Sequence, residues 1–218
     1  MKIKLLSTLF LFCAFTFEIP AQTYPALNFT LLSKMDPNGD LTGNDGRKYS
    51  GCWGWVQTAK NKEYAIIGSS AKTYFIDITN PLLPIICDSV NNKKTGCTWR
   101  ELKTYQNYCY IVSDDSPPNT FQIIDMQYLP DSVKVIHDGT TYFERGHTCW
   151  VDGNKLYVGG QTSASSILSN MCVYSLATPT APVLLRTLSQ DYPSINYVHD
   201  MFVRNDTVYA SAGNQGLH

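Results

Sequence analysis

From about residue 50 onward the chain is a succession of short apolar runs rich in Val, Ile, Tyr and Thr, each closed by a polar turn. Runs of this length and composition predict β-strands, and no stretch after the N-terminal segment sustains helical spacing. Four segments can be laid over one another: Trp53-Gly-Trp-Val, Trp99-Arg-Glu-Leu, His147-Thr-Cys-Trp and His199-Asp-Met-Phe. A polar turn follows each, Ala59-Lys-Asn-Lys, Tyr105-Gln-Asn, Asp152-Gly-Asn or Arg204-Asn-Asp, and then a second strand at Tyr64, Tyr110, Tyr157 or Tyr209. The offset from opener to tyrosine is 11, 11, 10 and 10 residues.

The repeat extends further. A third strand reads Thr73-Tyr-Phe-Ile-Asp-Ile, Phe121-Gln-Ile-Ile-Asp-Met and Met171-Cys-Val-Tyr-Ser-Leu. A fourth follows in Ile85-Ile-Cys, Val133-Lys-Val-Ile and Val183-Leu-Leu-Arg. Openers at 53, 99, 147 and 199 are spaced by 46, 48 and 52 residues. Four strands in that length predict an all-β chain of β-propeller blades, each a sheet that buries its two faces only by stacking on its neighbours. Apolar residues on both faces of the third strands (Tyr74-Phe75-Ile76, Ile123-Ile124) suit such a sheet, and Pro81, Pro84, Pro179 and Pro182 fall between strands, where no ladder N–H is lost. His218 falls inside the expected third strand of the fourth unit. About three and a half blades are therefore expected over 49–218, an incomplete ring that further blades would close.

Tyr74-Phe-Ile-Asp-Ile-Thr-Asn-Pro81 resembles the LVIVD repeat, a hydrophobic strand followed by Asp and an Asn-Pro turn. Trp53-Gly-Trp-Val, Thr98-Trp99-Arg100-Glu101 and Val198-His199-Asp200 resemble segments of the choice-of-anchor B proteins, secreted or surface proteins of Bacteroidetes-type bacteria built of such repeats. The likeness covers about residues 49–218 and implies a β-propeller on a secreted or cell-surface protein. The chain departs from it at His147-Thr148, where His-Asn is usual, and in its number of cysteines.

The N-terminal segment agrees with export. Lys2 and Lys4 precede an apolar run from Leu5 to Phe17, and a small-residue exit before Gln22 completes the pattern of a signal peptide over 1–21. The run is shorter than the ~20 residues that span a bilayer, so no transmembrane span is expected in the mature chain. Residues 22–48 read as a lead-in segment. Within it Asp36-Pro-Asn-Gly-Asp begins like a calcium loop, but Leu41 stands where Gly is needed and Arg47 where Glu is, which favours a plain turn. Asp114-Asp115 reads as a solvated acidic turn between strands.

Charge and chemistry narrow the function only partly. Seventeen basic against eighteen acidic side chains leave no basic face for nucleic acid. Removal of the signal segment leaves Cys52, Cys87, Cys97, Cys109, Cys149 and Cys172, which fit either disulfides or buried thiols. Cys52 and Cys97, each just before an opener, are one conceivable pair. No G-x-S-x-G elbow, P-loop or dinucleotide fingerprint occurs.

The openers carry the candidate site. The first strand of each blade runs along a propeller's central channel, so Trp53, Trp99, Arg100, Glu101, His147, His199 and Asp200 are expected to converge, with the two imidazoles within roughly 10 Å of each other. Imidazoles beside carboxylates can ligate a divalent metal such as zinc, manganese or iron, and His147, His199 and Asp200 are the candidate ligands. Two functions remain open: a non-catalytic binding or adhesion module for a protein or glycan partner, and a metal-dependent hydrolase or lyase.

Overall fold

The computed structural model describes residues 27–115, 118–162 and 168–218. The expected signal segment lies outside these residues. The chain divides into Met1–Leu31 and Leu32–His218. The described residues of the first unit, 27–31, carry no strand or helix, and everything below concerns the second.

That unit is all-β: among the described residues it holds fourteen strands and three single 3₁₀ turns. Sheet 1 comprises β1 (Tyr49–Gln57), β2 (Lys62–Ser69), β3 (Lys72–Asp77) and β4 (Ile85–Asn91). Sheet 2 comprises β5 (Glu101–Tyr105), β6 (Tyr108–Val112), β7 (Phe121–Asp125) and β8 (Lys134–Gly139). Sheet 3 comprises β9 (Thr148–Asp152), β10 (Lys155–Thr162), β11 (Leu168–Ser175) and β12 (Val183–Thr187). Sheet 4 has two strands, β13 (Asp200–Arg204) and β14 (Thr207–Ser211). In every sheet the strands lie in chain order, and every pairing is antiparallel.

Local chemistry explains the hairpins. Gln106-Asn107, Gly153-Asn154 and Asn205-Asp206 are two-residue turns. Gln106, Gly153, Asn205 and Asp206 all take positive φ, the twist that a tight antiparallel hairpin requires and that Gly, Asn and Asp adopt most readily. The turn between β1 and β2 is longer, spanning Thr58–Asn61.

The third strands are buried on both faces, as the apolar pattern predicts: all five residues of β7 are buried, and Tyr74, Phe75 and Ile76 of β3 likewise. Three apolar cores result, each shared by consecutive sheets. Tyr64, Ile66 and Phe75 of sheet 1 meet Leu102, Ile111 and Ile124 of sheet 2. Tyr110, Phe121 and Ile123 of sheet 2 meet Cys149, Val158 and Tyr174 of sheet 3. Tyr157 and Met171 of sheet 3 meet Met201, Val203 and Ala210 of sheet 4. Each sheet is thus closed by its neighbour, and the stack runs in chain order with first strands β1, β5, β9 and β13 side by side.

The register corrects the sequence alignment of the openers. The bulge between third and fourth strands falls at Phe75/Ile76, Ile123/Ile124 and Val173/Tyr174, so these positions are equivalent. Through the ladder, Ile66 matches Tyr110 and Tyr157, and Trp53 matches Lys103 and Trp150. The four-residue first turn displaces Tyr64 by two positions, which is why the constant offset to a tyrosine misled. Trp53 therefore lies three positions along the strand from the level of His147, and Trp99 one position before it.

The lead-in segment is tied to sheet 1 by Asn38. This side chain is buried, and its amide donates to Ser70 Oγ at 2.9 Å while its carbonyl accepts from Ser69 Oγ at 2.8 Å. Asp36 pairs with Lys48 Nζ at 2.8 Å and accepts from the Tyr49 hydroxyl. The calcium-like residues thus serve as a clasp, in line with the plain-turn reading.

Candidate functional site

The first strands start side by side, and their opening residues line one cleft of about 360 Å³. Its walls come from all four sheets: Tyr49-Ser50-Gly51, Trp99-Arg100-Glu101, His147-Thr148 and His199-Asp200. Residues about fifty positions apart are thereby brought together. Gly51 makes the closest backbone approach. Its φ is +57°, and a Cβ there would lie 2.4 Å from the Arg100 carbonyl oxygen, so only glycine fits.

His147 is the centre of the cleft. Its ring centroid lies 4.5 Å from that of His199, 5.8 Å from Tyr197 and 6.4 Å from Trp99, so the expected approach of the two imidazoles is met. Its Nδ1 is 2.5 Å from Asp114 Oδ2. That hydrogen bond raises the His147 pKa above the ordinary imidazole value. Burial opposes the shift, and the negative charges of Asp114, Asp200 and Glu101 reinforce it. Asp114 lies two residues past the end of β6 in sheet 2 and reaches His147, just ahead of β9 in sheet 3. The acidic loop is therefore part of the site rather than a solvated turn. Asp115 serves it as well, accepting from the backbone N–H groups of Thr98 and Trp99.

The remaining candidates divide. Strand alternation places His199 and Asp200 on opposite faces, yet both line the cleft because it lies at the strand's start. Asp200 Oδ1 accepts from Thr148 Oγ1 at 3.3 Å. Glu101 receives Lys103 Nζ at 2.5 Å. Trp99 is 44% exposed at the rim, with the Arg47 guanidinium 4.9 Å from its ring centroid. Arg100 is buried and acts as a strut. Its Nη2 donates to Thr73 Oγ1 at 3.2 Å and to Gln122 Oε1 at 3.0 Å, joining sheets 1 and 2. Trp53 does not line the cleft. It packs deeper between the sheets, 5.9 Å from the Trp150 ring, with Lys103 Nζ 4.3 Å from its centroid.

The cleft's three hydroxyls are engaged away from the imidazoles: that of Tyr49 donates to Asp36. Ser50 Oγ accepts from the Arg100 backbone N–H at 2.9 Å, and Thr148 Oγ1 donates to Asp200. Among the described residues of the cleft no hydroxyl is bonded to an imidazole. His147, His199 and Asp200 meet in one cleft, but among the described residues no three His, Cys, Asp or Glu side chains are arranged to hold a metal. The six described cysteines are all free thiols, and Cys97 contacts Ser113 Oγ at 3.1 Å. Burial pushes the Cys149 thiol up to about 12 and the Cys109 thiol higher still, which leaves both inert as nucleophiles.

No family model and no curated protein matches the chain. Among the described residues no helix is long and apolar enough to cross a membrane.

Asp114 is the residue that sequence reading missed. The usable signal was its place, two residues past a second strand and one past Ser113, whose carbonyl accepts from Gly146 N–H just ahead of His147. An acidic residue there faces the opener of the following sheet.

Proposed function

We propose that this chain is a secreted or cell-surface β-propeller protein of the LVIVD-repeat type, acting as a non-catalytic binding module for a protein or glycan partner. Four features support the propeller: consecutive four-stranded antiparallel sheets, one bulge position shared by three of them, cores between neighbours only, and first strands held side by side. One observation carries the binding reading. An open cleft, built from the same strand position of successive sheets, presents an exposed indole, two imidazoles and two carboxylates, with its hydroxyls tied up elsewhere. Aromatic faces beside polar groups fix partners by stacking and hydrogen bonding, whereas hydrolysis needs an activated nucleophile or a held metal.

The metal-dependent hydrolase or lyase remains the second reading, favoured by the 4.5 Å approach of His147 and His199. One experiment separates the two. The whole chain is titrated with zinc and manganese by calorimetry and, separately, screened on a glycan array. The binding reading expects glycan or protein retention that falls on Trp99→Ala and is indifferent to chelator. Stoichiometric metal uptake abolished by either His147→Ala or His199→Ala would replace it with the enzyme.

A further inference from the structure

Asp114, the partner of His147, also lines a second hollow of about 200 Å³. Asp114, Arg145, Gly160, Gln161, Asn196 and Tyr197 form most of its wall. Three buried polar atoms of this wall have no hydrogen-bond partner among the described residues: Asp114 Oδ1, Arg145 Nε and Gln161 Oε1. Gln161 is only 4% exposed and its amide nitrogen is anchored on the Tyr174 hydroxyl, so its carbonyl oxygen is held in place. Leaving a buried polar group unpaired is unfavourable. Three such atoms on residues of one hollow's wall, one of them on a side chain more than nine-tenths buried, point to a ligand there.

Repeat geometry explains how they meet. Gln161 occupies in sheet 3 the place that Asp114 occupies in sheet 2, just past the shared Tyr157 and Tyr110 positions of the second strands. Gly160 keeps the space open. With φ at +59°, it has His147 Cβ and Tyr197 Cε2 each 2.8 Å from where a side chain would begin.

We infer that this hollow binds one neutral sugar ring, the terminal unit of a glycan, and the inference rests on the binding-module reading above. The wall offers one donor, Arg145 Nε–H, and two acceptors, Asp114 Oδ1 and Gln161 Oε1. Hydroxyls both donate and accept, so adjacent hydroxyls of one ring satisfy all three atoms without burying a new charge. An anion would meet Asp114 and the Gln161 carbonyl oxygen, and a cation would meet Arg145. The Tyr197 ring, 37% exposed, supplies the apolar face on which the C–H side of a sugar stacks. Its hydroxyl pKa is pushed up to about 12 by burial and the nearby Asp114, so it stays neutral. The volume is below the ~300–1,000 Å³ of drug-sized ligand pockets, which suits a single ring.

The test is saturation-transfer NMR and calorimetry on the whole chain with free galactose, glucose, N-acetylglucosamine, glucuronate and, as a zwitterionic control, serine. A neutral hexose or the N-acetylhexosamine binds. Arg145→Lys, which keeps the charge and loses the Nε–H, and Gln161→Leu each weaken it by about tenfold or more, with folding checked by circular dichroism. Absence of any sugar signal, unaltered affinity in the folded Arg145→Lys variant, or preference for glucuronate or serine overturns the inference. Absence of free-sugar binding, with glycan-array retention still lost in Trp99→Ala, overturns the hollow while leaving the binding module at the cleft intact.

Discussion

Replacing Asp114 by Ala should destabilise the protein more in mild acid than in mild alkali. The perturbation removes the carboxylate 2.5 Å from His147 Nδ1, in a pair whose side chains are 16% and 23% exposed for His147 and Asp114. A hydrogen bond between charged partners contributes about 1.5–3 kcal/mol net, and a neutral imidazole bonded to a carboxylate, charged on one side only, falls toward the bottom of that range or below. The His147 pKa is raised in the folded state. The pair's pH-dependent contribution is therefore fully present below the unfolded imidazole value of ~6.5 and is lost as pH rises through the folded value. Deleting Asp114 also removes its unpartnered Oδ1, which returns some desolvation energy. The loss should then be about 1.5–2 kcal/mol near pH 5.5 and roughly 1 kcal/mol or less near pH 9. Urea denaturation of wild type, Asp114→Ala, His147→Gln and the double variant at both pH values reads the difference and isolates the pair. Equal losses at the two values, or a larger loss in alkali, would refute the assignment of the Asp114 bond as the cause of the shift.

Other substitutions probe the stack and the thiols. Phe121, fully buried between sheets 2 and 3 and 4.7 Å from the Phe143 ring centroid, should lose about 3–5 kcal/mol on replacement by Ala. A loss under 1 kcal/mol by denaturant melt would mean that these two sheets do not share a core. Reaction with an aromatic disulfide reagent should label Cys52 rapidly in the native protein, whereas Cys109 and Cys149 react only after unfolding. A Cys52 found disulfide-bonded by peptide mapping would contradict the free-thiol arrangement.

Much of this architecture is legible in the sequence because it rests on local signals. Short β-branched and aromatic runs place the strands. Gln106-Asn107, Gly153-Asn154 and Asn205-Asp206 mark hairpins whose turn chemistry needs no tertiary context. Third strands apolar on both faces announce sheets covered on both sides. The register of the first unit was not legible, because the four-residue turn after β1 shifts Tyr64 while leaving the tyrosine spacing almost unchanged. A strand's faces alternate at every residue, so an error of three positions moved Trp53 from its half-buried stack with Lys103 and Trp150 to the cleft. A further error of one position set Trp99 level with His147, the place that Arg100 holds. The site shows the same division. His147, His199 and Asp200 were found because repeat-equivalent positions converge. Asp114, Arg145 and Gln161 were missed because their meeting depends on how the end of one sheet's second strand faces the next sheet, a contact that no local pattern encodes.

The central claim is that successive sheets stack with their first strands side by side, so that residues 52 positions apart share one cleft. The most direct measurement is a nuclear Overhauser spectrum of the protein labelled only at histidine, with its four imidazoles assigned by single His→Gln variants. A cross-peak between the ring protons of His147 and His199 is predicted from their 4.5 Å centroid separation, with none from either ring to His137. Assigned resonances for both rings with no cross-peak between them would contradict the stacked arrangement and the site built on it.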